Sequence, residues 1–179
     1  MRYAKKSMSR ISVIGNVNID LVVWPADELL PPGAEVQVET NGMRAAGNAG
    51  NSALALARLG QVPSLVGCVG RDHFGRFILE ELAAAGIEGG VYVLPEEPTR
   101  ITIAFQAPGR DRSFLSLLGS LQAFGASMVP EETLAADFVL FCGYFTLPAL
   151  RGVPTIGLMN RVRTVGGRIF FDSDWDPQG

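Results

Sequence analysis

Short, unbroken apolar runs punctuate this chain at residues 11–14, 64–69, 138–142 and 168–172, the pattern of strands buried on both faces. Residues 19–24 continue the first run in extended style. Between the runs lie stretches with helical spacing. Residues 51–59 are rich in alanine and leucine and stop at Gly60. Asp72 is placed to cap a second helix to residue 85, with Phe74, Phe77, Ile78 and Leu82 as its core stripe and Gly86 as its end. Pro130, followed by Glu131 and Glu132, opens a short helix. Residues 153–165 form a further helix that ends at Gly166-Gly167. Strand–helix alternation from residue 46 onward predicts a mainly parallel sheet covered by helices.

Two segments break that rhythm. Residues 35–40 alternate polar and apolar positions, with Val36 and Val38 on one face, as in a half-exposed strand. Residues 91–94, 101–106 and 113–117 also read as strands. The turn from Pro108 to Arg112 joins the last two into a hairpin, and Ile101, Ile103 and Phe105 line one face. These segments predict a small separate sheet, a flap over a site, too small to be stable alone. Pro25, Pro31, Pro32 and Gly33 mark the loop before it.

Composition narrows the class. A chain of 179 residues, 47% hydrophobic, can bury one substantial core. The net charge of −3 offers no basic surface for nucleic acid. No apolar run approaches the ~18 residues of a membrane span. The opening MRYAKKSMSR is basic, but Asn16, Asn18 and Asp20 interrupt the apolar run behind it, so it reads as a leader before a first strand, with Met8 a candidate start. Cys68 and Cys142 sit in apolar strands and read as buried thiols of a cytoplasmic protein.

Most common chemistries are excluded. The first strand lacks G-x-G-x-x-G and runs into a second strand instead of a helix, against a dinucleotide site. There is no G-x-x-x-x-G-K-[ST] and no G-x-S-x-G. The single histidine, His73, follows a helix cap and reads as a surface position. One histidine and two separated cysteines do not make a structural zinc site. What remains is Asn18 and Asp20 near the first strand, with Gly47, Asn48 and Asn51 in the segment AGNAGNSALALARLG. Glycines let backbone approach a ligand, and asparagines both donate and accept. A carboxylate can accept from two neighbouring hydroxyls, which is the chemistry for holding a sugar or ribose. The competing account is a glycine turn with an asparagine cap, and a bulge shaped by Asn18 and Asp20.

Several motifs in order resemble the ribokinase, or PfkB, carbohydrate kinases: VIGNVNIDLV from Val13, AGNAGNSALALARLG from Ala46, VGCVGRDHFGRFILEELAAAGI from Val66, PTRITIAFQ, RSFLSLLGS and FFDSDWDP. The resemblance covers essentially the whole chain. It implies an α/β fold, part of a three-layer αβα ribokinase-like domain over residues 1–179, with lid strands at about residues 34–41 and 91–118. It implies that Asn18, Asp20, Gly47, Asn48 and Asn51 contact sugar hydroxyls and that Phe105 and Phe114 of the lid lie over the substrate. It further implies ATP and Mg²⁺ for the intact protein, cytoplasmic location, and a homodimer through the lid. Three departures stand out: Ala46 replaces the first glycine of the signature, Asn48 stands where ribokinase has lysine, and Asp172-Ser173-Asp174 replaces Asp-x-Asn. No Gly-Ala-Gly-Asp segment occurs, so no catalytic residue is assigned here. The catalytic residues are expected beyond Gly179, and the chain is expected to be the substrate half of a truncated kinase. The rival readings are a nucleoside kinase, with Phe105 or Phe114 walling a base pocket, and a non-catalytic sugar-binding or interaction protein.

Overall fold

In the computed structural model the chain begins with β1 (Ile11–Gly15) and, after only Asn16 and Val17, β2 (Asn18–Trp24). Next come β3 (Thr40–Ala46), α1 (Asn48–Arg58), β4 (Ser64–Gly70), α2 (His73–Ala84) and β5 (Val91–Leu94). The hairpin is β6 (Ile101–Phe105) and β7 (Ser113–Leu117). Short 3-10 turns lead to α3 (Glu131–Leu134) and β8 (Phe138–Cys142), then to α4 (Val153–Thr164) and β9 (Arg168–Asp172). The structure describes residues 9–25, 32–35, 37–109 and 111–176. The leader residues 1–8, Pro31, Val36 and Arg110 lie outside the described ones. So does Gly179, the position beyond which the catalytic residues are expected, together with Pro177 and Gln178.

Five strands form the main sheet in the order β5-β4-β1-β8-β9, every pair parallel. Its central strands are continuous apolar runs because both faces are covered. The pleat divides them by alternation. Val13 and Leu65 join Ala49, Ala53, Ile78 and Leu82 under α1 and α2. Ile14 and Val66 join Phe124, Leu158 and Val162 on the other side, beneath α4 and the 3-10 turns. The expected mainly parallel, three-layer α/β architecture is therefore present. Strand β9 forms one edge, where Phe170 is 56% and Phe171 49% exposed.

The small sheet has the order β3-β2-β6-β7, with β2/β6 parallel and the outer pairs antiparallel. Three expectations need correction. The alternating segment at 35–40 is not the strand: β3 starts only at Thr40 and runs to Ala46. Its sequence, TNGMRAA, is poor in β-formers, and seven pairings with β2 impose the conformation. Second, Val91–Leu94 does not join the small sheet but extends the main one beside β4. The small sheet takes β2 instead. Third, α1 begins at Asn48, not at residue 51, so Asn48 and Asn51 both lie on the helix.

The α2 boundary follows the sequence reading. Asp72 Oδ1 accepts from Gly75 N at 2.8 Å, and Gly86, with φ +78°, follows the helix. Asp72 does more than cap. It also accepts from Thr99 N and Thr99 Oγ1, each at 2.7 Å, which ties the start of β6 to the β4–α2 junction. No helix among the described residues is long and apolar enough to cross a membrane.

Candidate functional site

The candidate residues meet where the two sheets join. Asn16, 2% exposed, fills the junction between β1 and β2. Its Oδ1 accepts from Ala49 N at 3.3 Å and its carbonyl from Gly50 N at 3.4 Å, so it caps the start of α1 from outside that helix. Gly47 stands at φ 88°, ψ 150°. A side chain there would collide with the Asn16 carbonyl, its Cβ only 2.8 Å from Asn18 Oδ1. Glycine thus lets the β3–α1 turn press against the start of β2. Gly143, after β8, has the same role from the far side: a Cβ there would strike the Asn16 amide.

On β2, Asn18 is buried and donates from Nδ2 to Asp20 Oδ1 at 2.9 Å. Arg44 of β3 donates from Nη2 to Asp20 Oδ2 at 3.1 Å. The carboxylate is held from both sides, and each oxygen keeps a lone pair for an incoming hydroxyl. On α1, Asn48 donates from Nδ2 to Asp172 Oδ2 at 2.5 Å, linking the helix start to the end of β9. The side chain of Asn51 is exposed and meets no partner among the described residues. Asp172 Oδ1 accepts from Asp174 N at 3.0 Å. The five predicted contact residues thus gather around the junction of β2, α1 and β9.

The two lid phenylalanines separate. Asp20 pairs with Thr102, and Ala104 pairs with Phe114, so Phe114 shares the face of Asn18 and Asp20. Phe105 pairs with Val23 and Ser113 and points to the opposite face, with Ile101 and Ile103. Of the two, only Phe114, 56% exposed, is on the side of the candidate site.

Four residues at the site escaped the sequence reading. Asn16 read only as an interruption in an apolar run. Arg44 lies on the strand that was placed too early. Arg100 and Thr102 alternate with Ile101, so the period of two already puts them on the face of Asp20. Burial pulls the Arg100 guanidinium below its ordinary pKa, and the charges of Asp174 and Asp20 oppose that shift. Beneath the site, burial pushes the Cys142 thiol up to about 11, with a smaller opposing effect from Ser52 and a reinforcing one from Asp172. Among the described residues, no three His, Cys, Asp or Glu side chains gather as a metal cage.

The fold that carries these residues has counterparts among known proteins. A Bacillus subtilis ribokinase is 41% identical over 81 residues, covering 45% of this chain and 27% of its own length. Ribokinase from Giardia lamblia superposes with a TM-score of 0.82 at 21% identity, over 95% of this chain and 56% of its own. Arabidopsis thaliana ribokinase, solved with ribose and ATP, gives 0.79 at 23% identity, over 94% and 54%. At these identities the structural likeness establishes the fold. The chain spans about half the length of those two solved ribokinases and 27% of the Bacillus subtilis sequence. The sequence profile of the pfkB family carbohydrate kinases matches residues 8–178, and the chain belongs to that family.

Proposed function

We propose that this chain forms the acceptor-binding half and lid of a kinase that transfers the γ-phosphoryl group of ATP to a sugar hydroxyl. The observation that carries this reading is the Asp20 carboxylate, held by Asn18 and Arg44 on the same side as the start of α1. Asp20 accepts from two neighbouring hydroxyls, Asn51 donates to or accepts from another, and the polypeptide at Gly47 lets the sugar approach the helix start. Asn48 serves through Asp172, keeping the end of β9 beside the bound sugar. The small sheet, with Phe114 on its inner face, closes over the acceptor and excludes water.

ATP supplies the phosphoryl group. Mg²⁺ would accompany it and neutralise the charge that develops on the transferred group. Met43, Leu115 and Leu117, each 45–53% exposed on the outer face of the small sheet, support a homodimer through the lid. The two buried, unpaired thiols support a reducing, cytoplasmic location.

Titration calorimetry with a panel of pentoses, hexoses and adenosine tests the reading. Sugar binding that is lost in Asp20→Ala is the expected result. Binding of adenosine alone would favour a nucleoside acceptor, for which exposed Phe114 offers a stacking surface. Binding of neither would leave the non-catalytic interaction protein.

A further inference from the structure

Strand β9 ends the main sheet on one side, and its sequence, RIFFD, is self-complementary. Arg168 N donates to Asp137 O at 2.9 Å and Gly143 N to Asp172 O at 3.0 Å, so every second residue from Arg168 turns its backbone groups toward β8. Ile169 and Phe171 therefore turn theirs to the open edge, where they meet no strand among the described residues. Phe170 is exposed on one face of the strand and Phe171 on the other. Such an edge is ordinarily blunted by lysine, proline or a bulge, and β9 carries none of these. Of the four edge strands, β3, β5, β7 and β9, only β9 bears opposite charges at its two ends. Arg168 rests over the Phe138 ring at 5.8 Å and has no ion-pair partner among the described residues.

We infer that β9 pairs antiparallel with β9 of a second copy, about a two-fold axis at Phe170, and joins the two main sheets edge to edge. This register sets Arg168 of each copy against Asp172 of the other. Parallel pairing in register would set like charges together, so the charges select the antiparallel arrangement. Ile169 and Phe171 of opposite copies exchange both backbone hydrogen bonds, which uses the groups that β9 turns outward. Phe170 faces its own copy in the closer, non-hydrogen-bonded kind of pair. The contact of the Phe138 and Phe170 rings, with centroids 6.2 Å apart, is then continued across the axis. Asp172 Oδ2 accepts from Asn48 and Oδ1 from Asp174 N, and each oxygen keeps a lone pair for an arginine. The second copy thus brings a cation to the carboxylate that anchors Asn48. This surface is separate from the lid, and the inference stands without the sugar reading.

Cross-linking tests the register on an otherwise unchanged chain. Phe170→Cys is expected to form a disulfide-linked dimer under mild oxidation, because its Cα lies ~4.5 Å from its copy, within the ~4.4–6.8 Å that a disulfide spans. Arg168→Cys is expected not to link, since the axis holds it ~14 Å from its copy. The native thiols are both buried and stay out of the reaction. Light scattering at concentrations on the order of 10–100 μM, suited to a small edge contact, tests the association itself. Leu115→Lys, which disables the lid contact proposed above, is expected to leave twice the mass of one chain. Adding Phe170→Lys, which sets two like charges face to face, is expected to weaken that dimer at least about tenfold. A monomeric Leu115→Lys chain overturns the inference, as does a dimer that Phe170→Lys leaves unchanged. So does a Phe170→Cys chain that fails to link, or an Arg168→Cys chain that links as readily.

Discussion

Replacing Asp72 with alanine should destabilise the chain by about 2–4 kcal/mol at neutral pH. The carboxylate makes three hydrogen bonds, one capping α2 through Gly75 N and two holding Thr99. Loss of an N-cap costs about 1 kcal/mol, and a bond to a charged acceptor contributes ~1.5–3 kcal/mol. Thr99 is fully buried, so its freed N–H finds no water, although its hydroxyl still accepts from Gly70 N at 2.9 Å. Asp72 itself is partly solvated, which keeps the total below the simple sum. Burial pushes the Asp72 carboxyl up, but hydrogen bonds from Thr99, Gly75 and Phe74 outweigh it and leave the pKa below the ordinary value. A carboxyl lowered in the folded state contributes stability above its unfolded pKa and loses it as pH falls through the folded one. The gap between wild type and variant should therefore shrink on acidification. Urea unfolding followed by circular dichroism, at neutral pH and in steps down through the carboxylate range, measures it. A neutral-pH gap under about 1 kcal/mol, or one that widens in acid, would refute the argument.

Three further outcomes are expected. Gly47→Ala should cost at least about 3 kcal/mol in the same unfolding assay, because its backbone lies in a region kept almost entirely for glycine and the new methyl strikes Asn16. Asp20→Ala should abolish sugar binding in calorimetry yet change stability by less than about 1 kcal/mol, since its ion-pair partner Arg44 is largely exposed. Burial pushes the Cys68 and Cys142 thiols up to about 11, so both should resist iodoacetamide at mildly alkaline pH in the folded chain and react once unfolded, as read by mass spectrometry.

The main sheet was legible because continuous apolar strands and capped helices carry strong periodic signals, as the Phe74–Leu82 stripe of α2 illustrates. Sheet membership was not. Nothing in the composition of residues 19–24 or 91–94 says which sheet a strand joins; pairing across the chain decides that. Strand β3 was misplaced because Gly42, Arg44 and the alanines read as loop, while the true signal lay in its partner β2. The candidate residues Asn18, Asp20, Gly47, Asn48 and Asn51 were named from donor chemistry and from ordered motifs. Asn16 was missed because a buried cap from a distant segment looks the same as a turn asparagine. Arg100 was missed because the apolar face of β6 carries the stronger signal, though alternation already places that arginine opposite.

The brevity of the link between β1 and β2 has a mechanical consequence. Asp20 lies four residues beyond Asn16, or ~13 Å of extended chain. A tilt of roughly 10° at that link would swing the carboxylate by ~2 Å, enough to make or lose a hydrogen bond. The opening amides of α1 would not follow, because they are hooked to Asn16 at the fulcrum itself. One side of a bound molecule would then be gripped by a moving arm and the other by a fixed anvil. A molecule spanning the gap would set the opening angle by its own width, with the junction as a caliper.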